Sequence, residues 1–269
     1  MNTPLLNSLA KLVLFLVSVS MASNQRASAA PGDLDLTFGT GGKVTTALGV
    51  VARMNGVALQ ADGKIVVVGY YFASGPPLIN PISVVVRYNS DGSLDTSFNG
   101  TGTVISPPLF PRCVATQSDG KIVIAGGGTD GFRLVRYNAN GSVDFSVTTD
   151  FFNGSTSAAN AESVAVQNDG KIVVAGGAGR PDFAVARYNS DGRLDTTFGG
   201  GGKVVTQSSR TGGGKSVALQ SDGKIVVAGY YGPMGVGKSS FALVRYNANG
   251  SVDFEATTDF GSGDDLEGV

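Results

Sequence analysis

Four times this chain repeats a ten-residue stretch in nearly one spelling. It reads QADGKIVVVG at Gln60–Gly69, QSDGKIVIAG at Gln117–Gly126, QNDGKIVVAG at Gln167–Gly176 and QSDGKIVVAG at Gln220–Gly229. Asp-Gly between two apolar runs is a hairpin signal, because Gly accepts positive φ and Asp tolerates it or hydrogen-bonds its own backbone. The flanking runs, such as Val57-Ala58-Leu59 before one turn and Ile65-Val66-Val67-Val68 after it, are apolar at every position. A sheet with one wet face would alternate, so these strands are expected to be covered on both faces.

The turn aspartates Asp62, Asp119, Asp169 and Asp222 set a period of roughly 50 residues. A second anchor keeps the same beat: Arg87-Tyr88-Asn89, Arg136-Tyr137-Asn138, Arg187-Tyr188-Asn189 and Arg245-Tyr246-Asn247. A third follows each one, at Leu94-Asp95, Val143-Asp144, Leu194-Asp195 and Val252-Asp253, with a forerunner at Leu34-Asp35. The last full copy reads as four strands, near Ser216–Gln220, Lys224–Tyr230, Phe241–Tyr246 and Val252–Asp259. No stretch beyond the amino terminus carries a helical period. The expectation is an all-β chain, a β-propeller of four-stranded antiparallel blades, with a β-helix as the alternative. The repeats run over about 53–105, 110–151, 161–206 and 214–260. Leu266–Val269 matches Ala161–Val164, the approach to a fresh turn, so a partial fifth repeat, an incomplete or open arc and a truncated fragment of a longer array are all expected here.

Residues 1–29 have the form of a secretory signal. Lys11 precedes the apolar run Leu12–Val19, too short for a membrane span, and Ala27-Ser28-Ala29 fits a small-x-small cleavage site. The repeat domain is then 30–269, with a secreted, periplasmic or cell-surface address. Its single cysteine, Cys113, permits no intrachain disulfide and stands where Gly56, Ser163 and Ser216 stand in the other repeats, as a small core residue would. A formal charge of −1 gives no reason to expect nucleic acid as a partner.

The unit QxDGKIVVAG…RYNxDGxLDxxFGxGGKV resembles the delta-60 repeat, a bacterial β-propeller family of secreted and surface proteins. The resemblance runs from Leu34 to the end and departs from the pattern at Phe145–Thr149 and Phe254–Thr258, which replace the FGxGGKV ending of Phe38–Val44 and Phe198–Val204. It implies a propeller outside the cytoplasm and no particular activity or catalytic residue.

Several motifs invite chemistry. Gly232–Ser239 (GPMGVGKS) spells a phosphate-binding loop, but such a loop needs a helix after it, and a strand is expected at Phe241–Tyr246, so no nucleotide is assigned. Asn89–Asp95 faintly copies a calcium loop, yet its first ligand position is Arg87, so no metal is assigned. Absence of histidine removes Ser-His-Asp and Cys-His catalysis. The acids outside the repeated turns, Asp130, Glu162 and Asp182, form no recognisable cluster. Each repeated Arg is expected to pair with a nearby Asp such as Asp95 or Asp195, and each Tyr to pack between blades. The best candidates for a ligand site are the aromatic residues on the long loops after the second strand: Tyr70, Tyr71 and Phe72, and Tyr230, Tyr231 and Met234. The leading reading is a binding or scaffold module for carbohydrate or a cell-surface protein, not an enzyme, and without a cofactor. An extracytoplasmic carboxylate-dependent glycosidase or lyase is one alternative, and a truncated fragment without independent function is the other.

Overall fold

A computed structural model describes residues 32–74, 81–107, 109–128, 131–151, 159–178, 182–207, 211–232 and 239–259. The chain divides into two units, 1–35 and Leu36–Val269, and the fold is that of the second. Among the described residues every regular element is a strand. The first blade is β1 (Val51–Leu59), β2 (Ile65–Phe72), β3 (Ile82–Tyr88) and β4 (Thr103–Ile105). The second is β5 (Phe110–Thr116), β6 (Ile122–Gly128), β7 (Gly131–Tyr137) and β8 (Val143–Thr149). The third is β9 (Ala159–Val166), β10 (Ile172–Ala178), β11 (Phe183–Tyr188) and β12 (Lys203–Thr206). The fourth is β13 (Thr211–Leu219), β14 (Ile225–Gly232), β15 (Ser240–Tyr246) and β16 (Val252–Thr258). Each blade is an antiparallel meander, and one bridge, Gly127 to Asn160, joins the second and third blades into a continuous sheet.

Doubly apolar strands follow from the stacking of blades. Within β2 and β6, Val66 and Val68 pack from one side against Ile122 and Ile124. The opposite side of β6, Val123 and Ala125, packs on Ile172 and Val174. One step further, Val173 and Ala175 pack on Ile225 and Val227. Three inter-blade cores therefore use both faces of the inner blades. Among the described residues the first and fourth blades have a neighbour on one side only, as in an open arc. Val57 and Leu59 of β1 are 66% and 69% exposed, whereas Val217 and Leu219, at the same places in β13, lie against the third blade.

A repeated clasp ties each blade to the next. Phe98, after the first blade's Leu94-Asp95, lies under the Asn140-Gly141 turn of the second, where Asn99 N–H donates to Asn140 O (2.9 Å). Phe198 lies likewise under Gly250, with Gly199 N–H donating to Asn249 O (2.8 Å). These turn glycines hold φ near +90°, where an L side chain is strained. Deeper in the junction a hydroxyl at or just past the end of the fourth strand meets the next blade's tyrosine: Ser106 with Tyr137, Thr149 with Tyr188, and Thr206 with Tyr246, at 2.7, 2.7 and 2.8 Å. The repeated arginines also serve this junction. Arg87 Nε donates to Asp95 (2.7 Å), its guanidinium stacks on Phe98, and its Nη1 donates across to Ala139 O (2.7 Å). Arg187 does the same with Asp195, Phe198 and Ala248 O.

Candidate functional site

The first strands of neighbouring blades contact one another along the inner edge of the stack. Every one of them carries a β-bulge at the same place. The pairing register slips between Met54 and Gly56, between Pro111 and Cys113, between Ala161 and Ser163, and between Gly214 and Ser216. The extra residues are Asn55, Arg112, Glu162 and Lys215. A bulge releases one residue from the ladder and re-aims its side chain. Opposite each bulge sits the glycine that ends the ten-residue stretch, Gly69, Gly126, Gly176 or Gly229. A Cβ at Gly126 would fall 3.0 Å from Pro111 Cα and closer still to the Phe110 backbone, and a Cβ at Gly176 would fall 3.1 Å from Ala161 Cα. The bulged backbone needs that space, so the invariant glycine of the repeat is the counterpart of the bulge.

The four released side chains converge. Asn55 Nδ2 donates to Pro111 O (2.8 Å). Arg112 Nη1 donates to Glu162 Oε2 (3.2 Å), and Lys215 Nζ reaches Glu162 Oε1 (3.4 Å), so one carboxylate lies between two cations. Beside them a cavity of about 500 Å³ is lined by Met54, Asn55, Tyr70, Phe110, Arg112 and Glu162. Tyr70 meets Phe72 and Phe110 edge to face, with ring centroids 5.8 and 6.1 Å away. Tyr230 lies under the Lys215 ammonium at 5.9 Å. The arrangement offers an acceptor, charged and amide donors and aromatic faces in one groove. Cys113, the residue after Arg112, is set back from it: burial first, then the Glu162 charge, pushes its thiol up to about 12, and the Sγ contacts Ala125 O.

The aromatic candidates divide according to the period of a strand, since successive side chains point to opposite faces. Tyr70 reaches the groove and Phe72 supports it, while Tyr230 stacks beneath Lys215. Tyr231 is instead buried against Phe183, at 5.1 Å between centroids, and belongs to the core between the third and fourth blades. Tyr71, half-buried in β2, pairs with Ala52 and Ile82 and does not line the groove. Met234 lies outside the described residues, as do Asp130 and the centre of the GPMGVGKS stretch, after which the strand β15 follows. The Asn89–Asp95 segment is a hairpin turn in which Asp91 accepts from Ser93 N–H (2.9 Å) and Ser93 Oγ (2.6 Å). Glu162 is the residue that motif reading passed over. Its signal was the column of Asn55, Arg112, Glu162 and Lys215, where four near-identical repeats carry both signs of charge just before a fixed strand.

A family model described as a domain of unknown function (DUF5122) beta-propeller matches the chain at residues 60–98, 117–146, 167–198 and 220–253. No curated protein matches the sequence. Among solved structures the chain is similar to an endo-arabinase from Bacteroides thetaiotaomicron VPI-5482, at 11% identity and a TM-score of 0.46, over 79% of this chain and 82% of that one. It is also similar to an exo-1,5-alpha-L-arabinanase from a bovine ruminal metagenomic library, at 12% identity and a TM-score of 0.40, over 76% of each chain. A eukaryotic initiation factor matches at 10% identity and a TM-score of 0.40, over 76% of this chain and 55% of that one. Likeness of this degree transfers neither substrate nor mechanism. It does correct one expectation: two of these three structures are named as enzymes, so the sequence-based reading of a non-enzyme is withdrawn.

Proposed function

On the premise that the chain belongs to this beta-propeller family, we propose that it is an extracytoplasmic binding module that takes a carbohydrate in the groove beside the bulge residues. The observation that carries the reading is the Arg112–Glu162–Lys215 cluster standing next to Tyr70 and Phe110. Sugar hydroxyls need donors and acceptors in close array, and the apolar face of a pyranose stacks on aromatic rings. Glu162 supplies the acceptor, Arg112 and Asn55 the donors, and Tyr70 the ring. Lys11 and the apolar run Leu12–Val19 support the extracytoplasmic address, although they lie outside the described residues. No helix among the described residues is long and apolar enough to cross a membrane.

The test is a polysaccharide panel followed by titration calorimetry on whatever binds, using the full chain and the variants Glu162→Gln, Arg112→Gln and Tyr70→Ala. Each is expected to weaken binding about tenfold or more, the scale of one lost charge-assisted bond or stacking contact. Unchanged affinity in both Glu162→Gln and Arg112→Gln would exclude the groove. A second reading takes Glu162 as one member of a carboxylate pair. Glycoside hydrolysis in most families employs two carboxyl groups at the scissile bond, and Glu162 is the one among the groove's lining residues, so release of reducing sugar by the native chain, lost both in Glu162→Gln and in the amide variant of a second acid, would make the module a hydrolase.

A further inference from the structure

The groove beside the bulges holds more positive charge than it balances. Arg112 and Lys215 bring two cations to the single carboxylate of Glu162. Arg53 stands directly opposite Tyr70 in the β1–β2 ladder, on the same face of the sheet, and adds a third cation to that face. The arginines of the chain differ in how they use their donors. Arg87 and Arg187 are buried between blades, with Nε on an aspartate and Nη1 on a carbonyl of the following blade. Arg112 is 43% exposed and gives only Nη1 to Glu162, at 3.2 Å. Among the described residues its Nε and Nη2 have no partner. Those two atoms lie side by side on one edge of the guanidinium, the flat fork that matches the two oxygens of a carboxylate. The ring of Phe110, two positions earlier in β5, is half exposed and meets Tyr70 edge to face. A flat cationic edge and an open aromatic face therefore share one cavity.

We propose that the groove takes an acidic glycan, in which a uronate residue sets its carboxylate on the Nε–Nη2 edge of Arg112 and its ring against Tyr70 and Phe110. The inference rests on the carbohydrate reading above and narrows it to sugar acids. Glu162 decides the orientation. It already occupies Nη1 of Arg112 and reaches Lys215. A ligand carboxylate on that side meets like charge, whereas a sugar hydroxyl there finds an acceptor. Lys215, held over Tyr230, offsets the Glu162 charge and leaves that of Arg112 for the ligand. A neutral sugar satisfies the acceptor and leaves the Arg112 edge unanswered. A site built to bond a charged group discriminates against the analogue lacking it, because the covered guanidinium gives up water and gains no partner.

The test is titration calorimetry on the full chain with trigalacturonate, trimannuronate, the methyl ester of each, and a sulfated galactose trisaccharide. At least one uronate is expected to bind about tenfold or more tighter than its own ester, the scale of one charge-assisted pair. That preference should narrow as salt is raised, because a half-exposed pair is screened, while binding of the ester holds. Arg112→Gln should abolish the preference. Glu162→Gln should weaken uronate and ester together and so retain it. Circular dichroism checks that each variant is folded, and the salt series on the native chain tests the same charge without a substitution. Uronates that bind no tighter than their esters, or a preference that survives Arg112→Gln, would overturn the proposal and leave the carbohydrate reading in place. Tighter binding of the sulfated sugar than of either uronate would overturn the carboxylate assignment. Binding of no glycan at all would remove this proposal and the reading beneath it together.

Discussion

The Arg187–Asp195 pair and its counterpart Arg245–Asp253 form a controlled comparison within one molecule. Both join an RYN arginine to the aspartate eight residues later, at 2.8 and 2.6 Å, and both arginines lie over a phenylalanine. Their surroundings differ. Arg187 and Asp195 are 6% and 4% exposed, and Arg187 also donates to Ala248 O of the following blade. Arg245 and Asp253 are 36% and 24% exposed, with no further blade against them among the described residues. Replacing Arg187 by Met keeps most of the stem's packing and removes the charge. Asp195 is then left buried with Lys171 as its remaining cation at 3.0 Å, and Ala248 O loses a donor. Breaking a buried pair from one side costs about 3–5 kcal/mol, and Lys171 places this site at the lower end, about 3 kcal/mol. At about 2–4 °C per kcal/mol for a domain of this size, the melting temperature should fall by about 6–12 °C. Arg245→Met should leave it near that of the native chain, because exposed pairs contribute little.

The assay is thermal and urea unfolding followed by far-UV circular dichroism and tyrosine fluorescence, the chain having no tryptophan. Near-equal losses in the two variants would show that the arginine acts only within its own blade and that the inter-blade bond to Ala248 contributes nothing. The opposite ordering would refute the burial argument altogether. Adding Asp195→Leu to Arg187→Met should recover part of the loss, since the stranded carboxylate, more than the missing attraction, carries the cost.

Acid should unfold the chain through the same aspartates. Burial pushes the Asp195 carboxyl up, but hydrogen bonds from the Thr197 hydroxyl and Lys171, with the Arg187 charge, outweigh it and hold the group below the ordinary range. Asp95 is lowered in the same way by Ser97 and Arg87. Their contribution is therefore complete above about pH 4, the unfolded value, and is lost as pH falls further, so melting temperature against pH should be flat near neutrality, drop in acid and drop less steeply in Asp195→Asn. Gly192→Ala should destabilise more than Gly63→Ala: both sit at φ near +85°, but only at Gly192 would the new methyl meet a ring, Phe145 at 2.8 Å. Urea midpoints check this, with about 1 kcal/mol expected for Gly63→Ala from backbone strain alone. Val57→Lys should leave stability unchanged and reduce self-association in light scattering, while Val217→Lys, at the same place within a covered junction, should destabilise.

The architecture was legible because its determinants are local and repeated. An Asp-Gly turn, an apolar run on each side and a fifty-residue beat fix hairpins, double burial and stacking without reference to any distant contact. The arginine–aspartate pairing was legible for the same reason, since the two lie eight residues apart in every copy. Strand boundaries were less so. β13 begins at Thr211, five residues before the reading from Ser216, because its opening Thr-Gly-Gly-Gly has no apolar pattern and is held in the sheet by pairing with Gly229–Gly232. Aromatic candidates were half legible: the alternation that sends Tyr70 to the groove and Tyr231 to the core depends on the pleat, which neighbouring tyrosines do not reveal.

The groove was hidden for a reason that also explains why it is a site. A repeat scaffold conserves its spelling wherever a side chain lies between blades or a backbone group is paired, and any residue there is answerable to both neighbours. The bulge residue lies outside the ladder and meets its neighbours only through its side chain. Asn, Arg, Glu and Lys can therefore occupy one column without disturbing the blades, so long as the glycine opposite keeps the space open. Comparing repeats for what they share finds the frame. Comparing them for a column in which both signs of charge occur opposite a fixed glycine finds Arg112, Glu162 and Lys215, three residues from three blades, some fifty positions apart in sequence, with the Glu162 carboxylate within 3.4 Å of both cations. A ligand that enters the groove meets that column together with Met54, Tyr70 and Phe110, side chains that also change from one blade to the next.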